Sequence, residues 1–245
     1  MSVDIRLHRF TEVSSTNDTI RNYITDPSCV GTVVTAERQT AGRGRLGRKW
    51  IQPDEHSSIM MSAVVGTSKT IERFSDISFV VGVAVREFIK TTFEVCPKIK
   101  WVNDIMLSGK KVCGILVETV NKDDVTYAVA GIGINITQES FPEELLNATS
   151  IFLETGRKYD IKVCERILAA TLFNATEEYR KKGFEYILDT YARDLWGIGK
   201  EAEVVCTDRT VRGIIIGTDK RGKLLVRTPD GVTGITAAEE IKVNF

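Results

Sequence analysis

Short β-rich segments alternate with helical segments over the first 150 residues, and this alternation constrains the fold more than any other feature of the chain. A 3.6-residue apolar period predicts a helix over residues 77–93, and the capping residues at 14–18 begin a shorter one. The alternation favours an α+β domain built on a central sheet. The expected strands lie at residues 5–10, 32–37, 58–65, 98–102, 112–120 and 125–136.

The last third of the chain has a different pattern. Residues 160–196 are predicted to be helical, with a break at Gly183. Short, closely spaced strands follow, which predicts a small β-barrel of about 45–50 residues. We place the boundary near residues 197–199, which divides the chain into domains 1–197 and 198–245. The expected barrel strands lie at residues 202–206, 211–217, 223–227 and 232–236.

Charge and apolar runs exclude several classes of protein. The 33 basic residues balance 33 acidic ones, which excludes a globally basic nucleic-acid coat and a disordered polyelectrolyte. The longest apolar run, residues 79–85, is far shorter than the roughly 20 residues of a membrane-spanning helix, so no membrane association is expected. The five scattered cysteines lack a CxxC pair and indicate reduced thiols in a cytoplasmic protein.

The segment 41–50, AGRGRLGRKW, matches the glycine spacing of a dinucleotide-binding fingerprint. A dinucleotide-binding loop requires the third glycine to enter an apolar helix. Here Gly47 leads into Arg48, Lys49 and Trp50, and Pro53 follows, so no such helix is expected and we reject this function. The segment is not a Walker A loop either, because no Gly-Lys-[Ser/Thr] ends it.

What remains is a glycine-rich backbone that carries Arg43, Arg45, Arg48 and Lys49 within a few residues. Four cations this close repel one another, so we expect an anion to bind there. Arginine suits phosphate and carboxylate oxygens, and Trp50 could stack on a base. The alternatives are a solvated basic turn or a nucleic-acid site, and a single patch without interleaved aromatic residues argues only weakly for the latter.

A second group of residues surrounds the hairpin that follows residue 108. Lys111 stands at the mouth of an apolar strand, where partial desolvation would strengthen its interaction with a carboxylate or phosphate. The alternative is an ordinary turn lysine with its ammonium in water. Gly114 would leave space for a ligand beside this strand, and Gly131 and Gly133 interrupt the next one, as glycines do where another group approaches closely.

Together these motifs resemble those of biotin protein ligases in order and spacing over roughly residues 5–136. One departure is Val102, where the family usually has proline. The motifs that carry the resemblance are Ser15-Thr16-Asn17, Gln39, the segment 42–50, the segment 100–104 (KWVND), the segment 111–118 (KVCGILVE) and the segment 131–135 (GIGIN).

The resemblance implies a fold of the α+β class. It consists of a central mixed sheet flanked by helices, like class II aminoacyl-tRNA synthetases, followed by an SH3-like β-barrel. The larger members of the family carry an N-terminal helix-turn-helix. Here the first strand is expected almost at Met1, so we expect a short form without DNA binding. Exposed strands of such a sheet could pair into a homodimer.

The activity implied by the resemblance uses biotin and ATP to form biotinyl-5′-AMP, and then transfers biotin to a lysine of a biotin carboxyl carrier protein. Lys111 and Arg45 would be catalytic, Mg²⁺ is expected with the polyphosphate, and Asp104 is the candidate metal contact. The expected biotin-binding residues are Ser15, Thr16, Asn17, Gln39, Gly42, Arg43, Gly44, Arg45, Lys111, Gly114, Gly131 and Gly133. The expected ATP-binding residues are Arg45, Arg48, Trp50, Asn103 and Asn135.

Two alternatives stay open on the sequence. A lipoate or octanoate ligase shares the architecture, so fold alone does not decide between the acids. The GRGR loop and the KWxND segment favour biotin. The other alternative is a non-enzymatic module whose C-terminal barrel binds a peptide or a nucleic acid, although acidic residues dilute the positive charge of that barrel.

Overall fold

A seven-stranded mixed sheet forms the larger part of the protein in the computed structural model, which describes residues 3–53 and 55–244. The strand order is β1-β2-β3-β7-β6-β5-β4, with β1 and β2 parallel and every other neighbouring pair antiparallel. The strands are β1 (Arg6–Val13), β2 (Thr32–Gln39), β3 (Ser58–Thr67), β4 (Lys98–Lys100), β5 (Asp104–Leu107), β6 (Lys110–Lys122) and β7 (Val125–Asn135).

Helices cover both faces of this sheet. The long helices α2 and α4 pack against each other on one face, and α1 with the turn after it lies on the other. Within the described ranges, no helix is long and apolar enough to cross a lipid bilayer. The helices are α1 (Thr16–Thr19), α2 (Ile77–Phe93), α3 (Ile151–Thr155) and α4 (Ile161–Arg193), the last interrupted at Gly183.

The two faces of the sheet bury different side chains because successive residues of a strand point to opposite sides. Val33 and Ala63 face the large core beneath α2 and α4, while their neighbours Val34 and Val64 face a smaller cluster with Ile20. The central strands therefore lie between two apolar layers.

The C-terminal residues form a five-stranded antiparallel sheet in the order β11-β10-β9-β8-β12. No ladder joins β11 to β12 among the described residues, so we describe this unit as a sheet rather than a closed barrel. Its buried residues continue the large core. The strands are β8 (Glu201–Val205), β9 (Thr210–Thr218), β10 (Leu224–Thr228), β11 (Gly231–Ile235) and β12 (Glu240–Val243).

Buried polar and aromatic contacts join the two sheets. The indole nitrogen of Trp101 donates a hydrogen bond of 2.9 Å to the carbonyl of Gly222, in the turn between β9 and β10. Gly222 also lies against the ring of Phe79 on α2, which packs on Phe184 and Tyr191. The C-terminal sheet is thus fixed against the end of the larger sheet.

The expected fold class is confirmed, but the C-terminal unit is a five-stranded sheet instead of the expected barrel, because no ladder joins β11 to β12 among the described residues. The other differences concern short elements. The strand β5, the helix α3 and the strand β12 were not expected, because four or five residues are too few to show a period. The first strand of the KWVND segment ends at Lys100 instead of residue 102, and the Trp101–Val102 peptide bond that follows is cis.

We expect Gly222→Ala to destabilise the protein more than Gly109→Ala. Both glycines have a φ of +80°, so alanine costs about 1–2 kcal/mol at either. A Cβ at Gly222 would also lie 2.5 Å from Cζ of Phe79, whereas none of the described atoms lies within 4 Å of one at Gly109. Overpacking adds about 1–3 kcal/mol. Urea denaturation measures the difference, and equal losses would show that the Phe79 contact is not rigid.

Candidate functional site

A side-chain-free patch in the sheet forms the floor of a cavity of about 310 Å³. Strands β6 and β7 pair in a register that sets Gly114 directly opposite Gly133. The indole of Trp50 lies over this pair, because a Cβ at Gly133 would be 2.6 Å from its ring and one at Gly114 would be 2.9 Å away. We expected Gly114 to leave space for a ligand, and in this structure the indole fills that space.

Trp50 reaches the floor because the glycine–arginine loop folds as a tight hairpin. The amide of Gly44 donates to the carbonyl of Arg48 at 2.7 Å, and the amide of Trp50 donates to the carbonyl of Gly42 at 3.0 Å. A single 3₁₀ turn, Arg45–Gly47, forms its tip. The hairpin therefore covers one side of the cavity. The indole nitrogen of Trp50 is buried and has no acceptor in the described ranges.

Neutral hydrogen-bonding groups occupy one end of the cavity. Ser15, Thr16 and Asn17 are buried where α1 begins, and the side-chain oxygen of Gln39 accepts from the amide of Thr16 at 2.7 Å and from its hydroxyl at 3.2 Å. A Cβ at Gly131 would collide with Asn17, so this glycine makes room for the asparagine. The result is a rigid set of donors and acceptors without net charge.

Arg43 is neutralised by the protein itself. Its guanidinium donates to Asp18 and, at 3.3 Å, to Glu118 on β6, and these carboxylates raise its pKa above the usual arginine value. Glu118 also accepts from the side-chain amide of Asn17 at 2.7 Å. Arg43 therefore already has two carboxylate partners, and these contacts tie the loop to the neutral end of the cavity.

Arg45 and Arg48 have uncharged partners. Arg45 donates to the side-chain oxygen of Asn103 at 2.8 Å, and Arg48 donates to the main-chain carbonyl of Glu239 at 2.9 Å. Asn103 in turn donates to the carbonyl of Ile115 at 3.0 Å. Because their partners are neutral, these two guanidinium groups keep their full charge for an anion in the cavity.

Lys111 is held by its backbone. Its amide donates to the carbonyl of Asn147 at 2.7 Å, and its carbonyl accepts from the amide of Thr149 at 2.9 Å. The ammonium lies 2.8 Å from Oδ1 of Asp104 and 5.9 Å from the centre of the Trp50 ring. The lysine is thus a positioned residue of the cavity wall rather than a solvated turn residue.

Lys100 lines the same cavity at the end of β4. Its ammonium lies 5.2 Å from the centre of the Trp196 ring. Burial lowers the pKa of this lysine, and the charges of Lys111 and Arg48 lower it further, while Asp104 and Glu240 oppose the shift. The KWVND motif drew attention to this residue, but sequence reasoning assigned it no role.

The cavity carries an excess of positive charge in a chain whose overall charge is balanced. Six cationic side chains line it against three acidic ones in the described part of the chain. Such a charge excess in a concave site attracts an anionic ligand. The cations are Arg43, Arg45, Arg48, Lys49, Lys100 and Lys111, and the acids are Asp104, Glu239 and Glu240.

The cavity brings together most of the residues that the sequence pointed to. Gly42 and Asn135 do not line it. A Cβ at Gly42 would meet the main-chain carbonyl oxygen of Trp50 at 2.9 Å. The side-chain amide of Asn135 is buried and donates to the carbonyl of Thr149 at 3.0 Å. The expected residues that line it are Ser15, Thr16, Asn17, Gln39, Arg43, Gly44, Arg45, Arg48, Trp50, Asn103, Asp104, Lys111, Gly114, Gly131 and Gly133.

Residues 238–241, which lead into β12 and form its first two positions, also line the cavity, and sequence reasoning missed them. They are Ala238, Glu239, Glu240 and Ile241, and they match no binding or catalytic motif in the sequence. Only the packing of the two sheets brings them to the site. The sequence left the contribution of the C-terminal unit open, and here it supplies one wall and the carbonyl that holds Arg48.

Comparisons with known proteins identify the family of the chain. The profile of the Biotin/lipoate A/B protein ligase family matches residues 10–135, and that of the Biotin protein ligase C terminal domain matches residues 197–243. The chain belongs to the Biotin/lipoate A/B protein ligase family.

Its similar relatives carry the names of biotin enzymes. It is 32% identical over 231 residues to the bifunctional ligase/repressor BirA of Bacillus spizizenii, covering 93% of this chain and 71% of the relative. It is 29% identical to the biotin–[acetyl-CoA-carboxylase] ligase of Paracoccus denitrificans, with 84% and 88% covered. Its fold matches the biotin protein ligase of Aquifex aeolicus in complex with biotin and ATP, with a TM-score of 0.87, 28% identity and 98% and 99% covered.

We expect Glu118→Gln to loosen the glycine–arginine loop, because it removes the charge that holds Arg43 while keeping an acceptor for Asn17. Partly exposed ion pairs contribute about 0–1 kcal/mol, so hydrogen exchange of the amides of residues 42–50 should rise about two- to fivefold. The control is Glu12→Gln on β1, which removes the exposed ion pair with Arg38 on β2. Unchanged exchange in the loop would show that Glu118 does not restrain it.

Proposed function

We propose that this protein is an ATP-dependent biotin protein ligase. It would activate biotin to biotinyl-5′-AMP and transfer the biotinyl group to a lysine of a biotin carboxyl carrier protein. The observation that carries the proposal is that Lys111 and the cationic glycine loop line one cavity, whose other end is neutral and polar. The names of the relatives favour biotin over lipoate or octanoate.

The two ends of the cavity suit the two substrates. Biotin presents a neutral ureido ring, which matches the uncharged donors and acceptors of Ser15, Thr16 and Gln39. ATP presents a polyanion, which matches the cationic end. Trp50 lies over Gly114 and Gly133 in the same cavity, and its buried indole NH has no acceptor among the described residues. The adenine would stack on this ring.

Lys111 lies where the two substrates meet. In the first step a carboxylate oxygen of biotin forms a bond to the α-phosphorus of ATP, and the bond to the β-phosphate oxygen breaks with release of pyrophosphate. Both reactants are anions, so the ammonium of Lys111 would lower their repulsion, and its backbone hydrogen bonds keep it in place. The pair with Asp104 orients the ammonium before the substrates bind.

In the second step the amine of the carrier lysine attacks the acyl carbon, an amide forms and AMP leaves. Arg45 would hold the adenylate phosphate until then, because its partner Asn103 is neutral and is easily exchanged for a phosphate oxygen. Arg43 would act differently. Its charge is taken up by Asp18 and Glu118, so it positions the loop beside the biotin end.

We propose that Mg²⁺ binds together with the polyphosphate of ATP. The described residues contain no group of three or more metal-ligating side chains, but Mg²⁺ keeps several waters and is often bound through one carboxylate and substrate phosphates. Asp104 fits that role, since it is the acidic residue beside Lys111. The ion would neutralise phosphate charge there.

Further parts of the proposal concern the whole molecule. We keep the division into domains 1–197 and 198–245, a cytoplasmic location on the strength of the cysteine pattern, and a homodimer formed through exposed strands.

The activity can be tested directly. Purified protein is incubated with ATP, Mg²⁺ and a biotin carboxyl carrier domain, with biotin, lipoic acid or octanoic acid in parallel, and the acceptor mass is measured. We expect the carrier to gain one biotinyl group with biotin only, and a carrier whose acceptor lysine is replaced by arginine to gain none. Modification by lipoic or octanoic acid instead would show that the enzyme is a lipoate or octanoate ligase.

We expect Lys111→Ala to reduce pyrophosphate release by at least about 10²–10³-fold, the usual cost of removing one preorganised group that stabilises transition-state charge. The control is Lys110→Ala, an exposed neighbour that does not line the cavity. Circular dichroism should show both variants folded. Parental pyrophosphate release by the Lys111 variant would mean that this lysine has no catalytic role.

Arg45→Ala should speed dissociation of biotinyl-5′-AMP more than it weakens biotin binding. A hydrogen bond to a charged group contributes about 1.5–3 kcal/mol, so a rise of about tenfold to a hundredfold in the dissociation rate is expected. The comparison is Arg38→Ala, an exposed arginine paired with Glu12. Stopped-flow displacement measures both rates, and equal rates in the Arg45 variant and the parent would contradict the role.

A further inference from the structure

Strand β6 is irregular beside Lys111. Strand β5 pairs Ile105 with Cys113 but pairs the next residue, Met106, with Lys111. Val112 is therefore an extra residue in β6, which defines a β-bulge. A bulge bends its strand and changes the direction in which the neighbouring side chains point.

The bulge decides that a lysine faces the cavity. In a regular strand, residues two apart point to the same face, so Val112 would share the cavity face with Gly114. Instead, Val112 and Cys113 are both buried in the large core. Lys111 takes the place beside Gly114, since a Cβ at Gly114 would lie 3.2 Å from the ammonium nitrogen of Lys111. The direction of this ammonium thus depends on the shape of the bulge.

A second segment, residues 147–149, pairs with the strand at the same point and forms an isolated parallel bridge with Lys111. The amide of Lys111 donates to the carbonyl of Asn147 at 2.7 Å, and the amide of Thr149 donates to the carbonyl of Lys111 at 2.9 Å. The side-chain amide of Asn135 fixes this segment by donating to the carbonyl of Thr149 at 3.0 Å. The backbone of Lys111 is therefore placed by a segment that follows it by more than 30 positions in the chain.

Glu154 connects that segment to the hairpin turn before Lys111. One carboxylate oxygen of Glu154 accepts from the hydroxyl of Thr149 at 2.6 Å, and the other accepts from the hydroxyl of Ser108. Ser108 has a φ of +50°, which a residue other than glycine adopts at an energetic cost, so the bond to Glu154 stabilises a strained turn. Glu154 is not among the described residues that line the cavity. Its carboxylate thus joins the two segments that flank Lys111 without lining the cavity itself.

The position of Glu154 is itself fixed. It stands on α3, whose first residue, Ile151, is fully buried in the large core. The amide of Phe152 donates to the carbonyl of Ile136 at 2.8 Å, just after β7. The side chain of Ser150 caps the helix by accepting from a main-chain amide of its first turn at 3.0 Å. The carboxylate is therefore a fixed point for its two hydroxyl partners.

We propose that Glu154 is a positioning residue for Lys111. It holds the hairpin turn and the segment 147–149 on either side of Lys111, so that the ammonium points at the reacting carboxylate and α-phosphate. The proposal rests on the ligase function and adds to it a residue outside the cavity. Because Lys111 lowers the repulsion between the two anions, a displaced ammonium slows the chemical step more than it weakens the binding of biotin.

The proposal predicts a loss of turnover that a conservative variant restores. Glu154→Ala should lower kcat for biotin-dependent pyrophosphate release about tenfold to a hundredfold, the cost of a small displacement of a catalytic group. The KM for biotin should stay within about twofold, because the neutral end of the cavity is unchanged. Glu154→Gln keeps an oxygen for Thr149 and offers an amino group to the hydroxyl oxygen of Ser108, so it should retain at least about a third of the parental kcat.

A double-mutant cycle separates positioning from general stability. If Glu154 acts through Lys111, Glu154→Ala should cause less than about a twofold further loss in a Lys111→Ala background. A glutamate that only stabilises the fold would lower the rate by the same factor in both backgrounds.

Hydrogen exchange gives a readout besides activity. The amides of Lys111 and Thr149 both donate in the contact between β6 and the segment 147–149. They should exchange about fivefold to fiftyfold faster in Glu154→Ala, because the segment opens more often, and near the parental rate in Glu154→Gln.

The control is Glu139→Ala, which replaces an exposed glutamate whose partner is Lys158. It should leave pyrophosphate release and both exchange rates at their parental values. If circular dichroism shows that Glu154→Ala does not fold, Thr149→Val takes its place, because it removes one of the two bonds to Glu154 with little change in shape. This variant should lower kcat about threefold to tenfold.

Parental kcat in Glu154→Ala, or an equal loss in both backgrounds, overturns the assignment while the ligase function stands. Parental kcat in Thr149→Val has the same meaning where that variant is the one used. A parent protein that releases no pyrophosphate with biotin, ATP and Mg²⁺ overturns the ligase function, and the positioning role of Glu154 with it.

Discussion

The register of two central strands determines whether this protein has a binding site. Because β6 and β7 pair with Gly114 opposite Gly133, the middle of the sheet has a patch without side chains. An indole can lie flat on that patch, and a shift of one residue would place branched apolar side chains there instead. The hairpin of the glycine–arginine loop ends on this floor through Trp50, and the cavity is enclosed between the hairpin, the floor and the C-terminal sheet.

The second constraint is electrostatic. A chain without net charge collects six cationic side chains of its described part around one cavity, and the fold gives most of them separate partners. Those partners differ in kind. Arg43 is compensated by carboxylates and becomes structural, Arg45 and Arg48 are held by neutral oxygens, and Lys100 is held by an aromatic face. The differences divide one basic cluster into groups that position the loop and groups that remain available for phosphate.

Sequence patterns predicted the long elements well and the short ones poorly. The helix over residues 77–93 and the break at Gly183 are where the periodicity places them, because many residues contribute to each signal. The strand at Asp104–Leu107 was missed, since four residues cannot show alternation. In the candidate site, motif spacing identified Lys111 and the glycine loop. It did not predict the ion pairs of Arg43, because the two carboxylates come from a helix and a strand far away in the chain.

The sequence alone determined the class of fold, the position of the cationic loop and the family resemblance, because these depend on local composition, period and spacing. The tertiary structure decided which partner each cation meets, that an indole lies over the two paired glycines, and that residues 238–241 complete the wall. It also placed Lys100 between the two sheets with its charge poorly compensated. These outcomes depend on contacts between segments separated by up to 191 positions, such as Arg48 with Glu239, and local sequence patterns carry no information about such contacts.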